Sequence, residues 1–300
     1  MHDLLQTPFL SPLKEDLVKA SQYIAKGPLV LAASADLEGL LALGFLEAAL
    51  LDSGISYSRR FIRPMKNIPR DEQNIVPDYK GSKVVFIDSF AKTDIQDSDN
   101  VMIIKPKEVE VQFPHSEQKR RGTVDAVIQA SALASMLSPS GAKVTPFRPY
   151  TGAGQWLMEG LDTTIDPIHT LVRDFLRDEG TIQIVPLPEV QEPRIEMIPG
   201  LSKRRLNKLS ELWIDMNANQ RSQALSEFCL PSLSTEGIST ARFEELMWKR
   251  MVLPGQASDL ASILHDLQKE WPETIDTSLV FASRLLDSWL RTGHLAESTD

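Results

Sequence analysis

The stretch PLVLAASADLEGLLALGFLEAALLDSG, residues 28–54, constrains the fold more than any other part of the chain. A short apolar run reads as a strand. It passes through a turn holding two acids, Asp36 and Glu38, into a segment that is apolar around most of a helical circumference and closes at Gly54. A helix with no polar face has to be covered on every side. Its longest apolar stretch, about 14 residues, is too short to cross a bilayer, which takes about 20. The helix therefore belongs inside a layered α/β domain.

The rest of the chain agrees with that reading. Residues Pro12 to Lys26 carry apolar positions at helical spacing, and ISYSRRFI from Ile55 alternates like a strand. KVVFIDS from Lys83 and NVMIIKP from Asn100 are continuous apolar runs of the kind that parallel sheets bury on both faces. EVEVQFP reads as a short strand leaving the sheet, and VDAVIQASALASML from Val124 as a helix of small and apolar residues. This rhythm predicts an α/β fold with a doubly wound, mainly parallel sheet of about five strands over residues 1–165. A smaller, mostly helical region is expected over 166–300. It holds PIHTLVRDFLRDEG, the strand TIQIVPLPEV, then KRRLNKLSELW, ANQRSQALSEFCL, ARFEELMW, SDLASILHDLQKEW and TSLVFASRLLDSWL. A linker is expected from Pro231 to Ser239 and a turn at Pro254-Gly255.

Composition narrows the function classes. The net charge of −9 disfavours long-range attraction to a phosphate backbone, and the clusters Lys119-Arg120-Arg121 and Lys203-Arg204-Arg205 read as solvated faces or helix ends. Direct nucleic-acid binding is expected to be weak or absent. Cys229 is the only cysteine, so no disulfide forms within the chain, and its apolar neighbours make it a core residue. No basic segment followed by an apolar run marks a secretory signal, and a cytoplasmic location is expected.

Chemistry is concentrated at the strand ends. Asp36 and Glu38 follow the first strand and Asp88 ends the VVFID strand, at the edge where open α/β sheets bind ligands. Three carboxylates there can hold Mg²⁺ or Mn²⁺. Equally, Asp36 can cap the helix that follows and Glu38 can face the positive end of its dipole. Gly152 and Gly154 form a Gly-x-Gly that can approach a phosphate. His115, His169, His265 and His294 show no catalytic arrangement, and Trp213, Trp248, Trp271 and Trp289 read as helix-packing anchors.

These segments together resemble the DHH phosphoesterases. SADLEGLLALGFLEAAL is similar to their first motif, His-x-Asp-x-Asp-Gly before a small-residue helix, and VVFIDS to the second, a strand ending in aspartate. NVMIIKPKEVEVQFP lies where the family has its Asp-His-His triplet, and YTGAGQW where a Gly-rich turn brings another metal-binding aspartate. RIEMIPGLSKRRLNKLSELW and VFASRLLDSWLRTGHL resemble segments of the archaeal RecJ-like, GINS-associated branch. That branch is similar to the non-enzymatic subunit joining MCM and GINS in the eukaryotic CMG helicase. The resemblance runs from about Lys26 to Leu295.

The departures shape the expected function. Ser34 stands where the family has histidine, Glu38 where it has aspartate, Lys105-Pro106-Lys107 where it has Asp-His-His, and Gln155 where it has the fourth-motif aspartate. Only Asp36 and Asp88 match the family's ligands. The resemblance thus implies an inactive relic site without cofactor, in which Asp36 or Asp88 pairs with Lys105. It also implies absence of the family's C-terminal DHHA1 domain. The expected role is a scaffold or accessory subunit of a CMG-like DNA replication complex, binding GINS through Ile198 to Trp248, with MCM as a second partner. Two alternatives stand beside it. One is a weak Mn²⁺-dependent single-stranded nucleic acid phosphodiesterase or exonuclease of the RecJ type, with metal on Asp36, Glu38 and Asp88. The other is a regulatory module binding a phosphate ligand.

Overall fold

The computed structural model describes residues 4–63, 79, 81–90, 98–112, 118–158, 160–163, 167–233 and 237–295. In chain order, helix α1 (Lys14–Ala25) leads to strand β1 (Leu29–Ser34), and α2 (Leu37–Ser53) leads to β2 (Tyr57–Ile62). Two further strands follow, β3 (Lys83–Ile87) and β4 (Val101–Ile104), then the pair β5 (Lys107–Gln112) and β6 (Lys119–Val124). Helices α3 (Ala126–Leu137), α4 (Val144–Phe147), α5 (Ala153–Leu157), α6 (Gly160–Thr163) and α7 (Pro167–Asp178) come next. After β7 (Gln183–Val185) the elements are α8 (Lys203–Trp213), α9 (Ala218–Leu233), α10 (Thr240–Trp248), β8 (Arg250–Val252), α11 (Leu260–Glu270) and α12 (Ile275–Thr292).

Contacts within the chain define two compact units. The first comprises Met1–Leu157, Asp166–Val172 and Leu267–Asp300, and the second Met158–Ile165 with Arg173–Asp266. The first is built on a four-stranded sheet in the order β2-β1-β3-β4 with every pairing parallel. All six residues of β1 are buried, as a central strand covered on both faces requires. This is the expected α/β parallel fold, with four strands in the sheet among the described residues. The segment EVEVQFP does leave the sheet. Residues Lys107–Gln112 pair antiparallel with β6 in a separate two-stranded ribbon, whose Val109 and Val111 turn inward while Glu108 and Glu110 face out. The basic cluster Lys119-Arg120-Arg121 is the exposed start of β6, a solvated strand face.

Helix α2 is buried along nearly its whole length, and Gly54 ends it in the left-handed conformation (φ 66°) that glycine adopts without strain. Helix α12 packs on it within the first unit. Gly44 is where the two meet: a Cβ there would lie 2.5 Å from the Trp289 ring. Trp289 is fully buried, stacked on Phe147 at 3.7 Å between centroids and edge-on to Phe45 and Tyr150. Beside this cluster, Tyr57 donates to Glu47 Oε1 at 2.6 Å, and Arg59 bridges Glu47 (3.3 Å) and Asp287 (2.7 Å).

The second unit centres on buried ion pairs and short helices. Arg250 donates to Asp259 Oδ1 at 3.0 Å and to the Leu246 carbonyl, and Arg173 pairs with Glu245. Strands β7 and β8 pair antiparallel. Helix α9 runs through Pro231 to Leu233, so the expected linker does not begin at the proline. Residues 234–236 of that linker lie outside the described residues.

Candidate functional site

The strand order reverses at β1: β2 lies on one side, β3 and β4 on the other. Open α/β sheets have their ligand crevice at such a reversal, beyond the carboxyl ends of the flanking strands. Ser34 ends β1 and Asp88 follows β3, so both stand at this crevice, and both are buried. Asp36, also buried, is the N-cap of α2. Its Oδ1 accepts from the Gly39 N–H at 2.8 Å. Gly39 has to be glycine, because any Cβ would meet the Ser34 carbonyl and hydroxyl. The Ser34 Oγ is buried with no hydrogen-bond partner among the described residues. Glu38 is buried in the first turn of α2. Asp88 Oδ1 accepts from the Phe90 N–H at 3.2 Å.

Another buried acid, one that the sequence reading did not single out, follows β6 of the two-stranded ribbon. Asp125 is buried and caps α3, its Oδ1 accepting from the Ile128 N–H at 2.8 Å. Its signal was present in the chain: an aspartate directly before a run of small apolar residues, the same helix-start pattern as Asp36. Gln155 donates through Nε2 to Asp125 Oδ2 (2.8 Å) and to the Thr123 carbonyl (2.7 Å). The segment YTGAGQW is helical in this chain. Residues Arg148–Gly152 form a 3-10 helix continuing into α5. Gly154 is there to admit Asp125, whose Oδ1 would lie 2.5 Å from a Cβ, so no phosphate approaches that glycine without meeting a carboxylate.

The two lysines of the third motif differ in placement. Lys107 Nζ reaches Asp16 of α1 at 2.7 Å and holds that carboxyl below the usual carboxylate range. The main chain at Lys105 is fixed by Gln129, whose Nε2 donates to the Lys105 carbonyl at 2.7 Å as well as to the carbonyls of Val124 and Asp125. Trp271 donates from its ring N–H to the Ala35 carbonyl at 3.1 Å, tying the segment before α12 to the turn between β1 and α2. His115 lies outside the described residues. His169 is buried with its ring 6.1 Å from that of Trp156. Cys229 is buried, and burial pushes its thiol up to about 11, as suits an inert core residue.

Among the described residues, Asp36 at this edge and Asp125 after the ribbon act as helix caps. Asp36 and Asp125 each commit an oxygen to a helix N–H, and the second oxygen of Asp125 takes the Gln155 amide. Among the described residues no three His, Cys, Asp or Glu side chains are grouped to hold a metal. Two hard cations need several free oxygen or imidazole donors.

No protein-family model matches the chain, and no curated protein matches it in sequence. Solved structures do. The crystal structure of CDC45 from Entamoeba histolytica superposes with a TM-score of 0.51, covering 91% of this chain and 67% of that one at 11% sequence identity. The fold is CDC45-like. At that identity the likeness is one of architecture, and it extends over both units. No helix among the described residues is long and apolar enough to cross a membrane.

Proposed function

We propose that the chain is a catalytically inactive scaffold or accessory subunit of a CMG-type DNA replication complex, binding GINS and, as a second partner, MCM. The observation that supports this most is the CDC45-like fold, combined with a first-motif aspartate, Asp36, that serves as the cap of α2. The sequence resemblance to the non-enzymatic subunit that joins MCM and GINS points the same way. The partner-binding region in this reading is Ile198 to Trp248, which spans α8 to α10. Lys105 in this reading supplies positive charge to Asp36 or Asp88 in place of a metal.

The test joins binding with chemistry. Tagged protein is expected to co-purify with GINS and MCM from the native host, equally well for wild type and for Asp36→Asn with Asp88→Asn. Incubated with single-stranded DNA or RNA and Mn²⁺, both proteins should release no product. Metal-dependent hydrolysis lost in the double variant would overturn the proposal in favour of a phosphodiesterase using Asp36, Glu38 and Asp88. Saturable nucleotide binding without turnover, in the absence of GINS binding, would instead favour a regulatory module.

A further inference from the structure

A cavity of about 410 Å³ lies in the first unit between α1, β4 and α3. Sites for small molecules commonly fall in the range of about 300–1,000 Å³. None of Ser34, Asp36, Glu38 or Asp88 lines it, so it is separate from the crevice at the end of β1. Its buried walls are aliphatic, with Leu17 from α1, Met102 and Ile104 from β4, and Leu133 from α3. Lys19, Ser98 and Asp99 are exposed and mark its opening.

One buried polar side chain interrupts these walls. Gln129 lines the cavity and is 4% exposed. Its Nε2 donates to the carbonyls of Lys105 (2.7 Å), Val124 (3.2 Å) and Asp125 (3.3 Å). Those carbonyls fix the amide, because turning it over would set Oε1 against three acceptor oxygens. None of the three residues lines the cavity, so Nε2 faces away from it and Oε1 is the end of the amide left on the cavity side. Oε1 accepts no hydrogen bond among the described residues. A buried acceptor left without a donor is costly, and the site therefore calls for one.

The charges around the cavity favour neither sign. Lys19 and Lys107 are matched by Asp16 and Asp99, and Lys107 is already paired with Asp16 at 2.7 Å. A carboxylate or phosphate pushed to the deep end would bring lone pairs against Oε1. An ammonium there would lose its water for a single neutral acceptor. An uncharged N–H or O–H on an apolar body satisfies the acceptor and covers the aliphatic walls together.

We propose that this cavity binds an uncharged, mainly apolar small molecule that donates one hydrogen bond to Gln129 Oε1. The probes are indole and benzofuran, which share a shape and differ in carrying a ring N–H or a ring oxygen. In calorimetric titration of the full chain, indole should bind, and benzofuran should bind about tenfold more weakly or worse. Benzoate, an anion of similar size, should not compete. Ala20→Phe on α1 and, separately, Val101→Phe on β4 each set a ring into the cavity from a half-buried position. Both should abolish indole binding while the thermal midpoint is kept. The two enter from different elements, so if one fails to fold the other decides. Absence of indole binding, equal affinity for benzofuran, competition by benzoate, or undiminished indole binding in a folded filled variant each overturns the proposal.

Discussion

At the scale of single residues, Asp36 decides between two chemistries because capping and metal binding make different demands on it. A cap needs a short side chain with an acceptor oxygen, which asparagine also provides, whereas a hard cation needs the charge. Asp36→Ala is expected to cost about 1 kcal/mol of stability and Asp36→Asn close to nothing, by urea denaturation. Asp125 should respond more strongly to alanine than Asp36, because the Gln155 amide bonded to it would be left buried without its acceptor. Glu47 gives the pH prediction. Burial pushes its carboxyl above 4.5, further than the bonds from Tyr57 and Arg59 pull it down. The folded state then holds a proton that the unfolded state has released, so this group's contribution to stability declines as pH rises from about 4.5 through the folded value. Glu47→Gln should flatten that decline, seen as a smaller loss of thermal midpoint between pH 4.5 and 7. A variant that steepens it would reverse the assigned sign.

At the scale of elements, the tightest constraint is the crossing of α2 and α12 at Gly44. Gly44→Ala places a methyl group against the Trp289 ring, which is already stacked on Phe147, and should cost about 1–3 kcal/mol. Trp289→Ala should cost about 3–5 kcal/mol. If both changes are silent in denaturant titration, the crossing is not a stabilising contact. Much at this scale was legible in the sequence. The apolar runs at Leu29, Lys83 and Val101 became strands, and the segments after Asp36, Val124 and Lys203 became helices, because period and capping residues act locally. What stayed hidden depends on partners distant in sequence or on segments too short to show a period. Strand β8 has three residues and is defined by its pairing with β7. Gly152 and Gly154 read as a Gly-x-Gly able to approach a phosphate, yet Gly154 is small to clear a carboxylate. Pro231 suggested a break, but a proline in the final turn of a helix removes only one internal bond. Asp125 carried the same helix-start signal as Asp36, but no family motif pointed to it.

At the scale of the whole molecule, the first unit is discontinuous: segments Met158–Ile165 and Arg173–Asp266 of the second interrupt it. Removing residues 267–300 takes away Trp289 and with it the ring covering Phe45 and Phe147. Hydrogen exchange in α2 is therefore expected to quicken strongly in that truncation, although α2 itself lies more than two hundred residues upstream. Protection of α2 equal to the full chain would contradict the packing described. The same arrangement has a consequence for biosynthesis. On a ribosome adding about 5–20 residues per second, the strands of the sheet emerge on the order of ten seconds before the helix that seals them. During that interval the nascent chain shows an aromatic surface that the finished protein hides, and this is a feature chaperones and proteases can read. Translation that stops short of Trp289 leaves the rings of Phe45 and Phe147 without that seal.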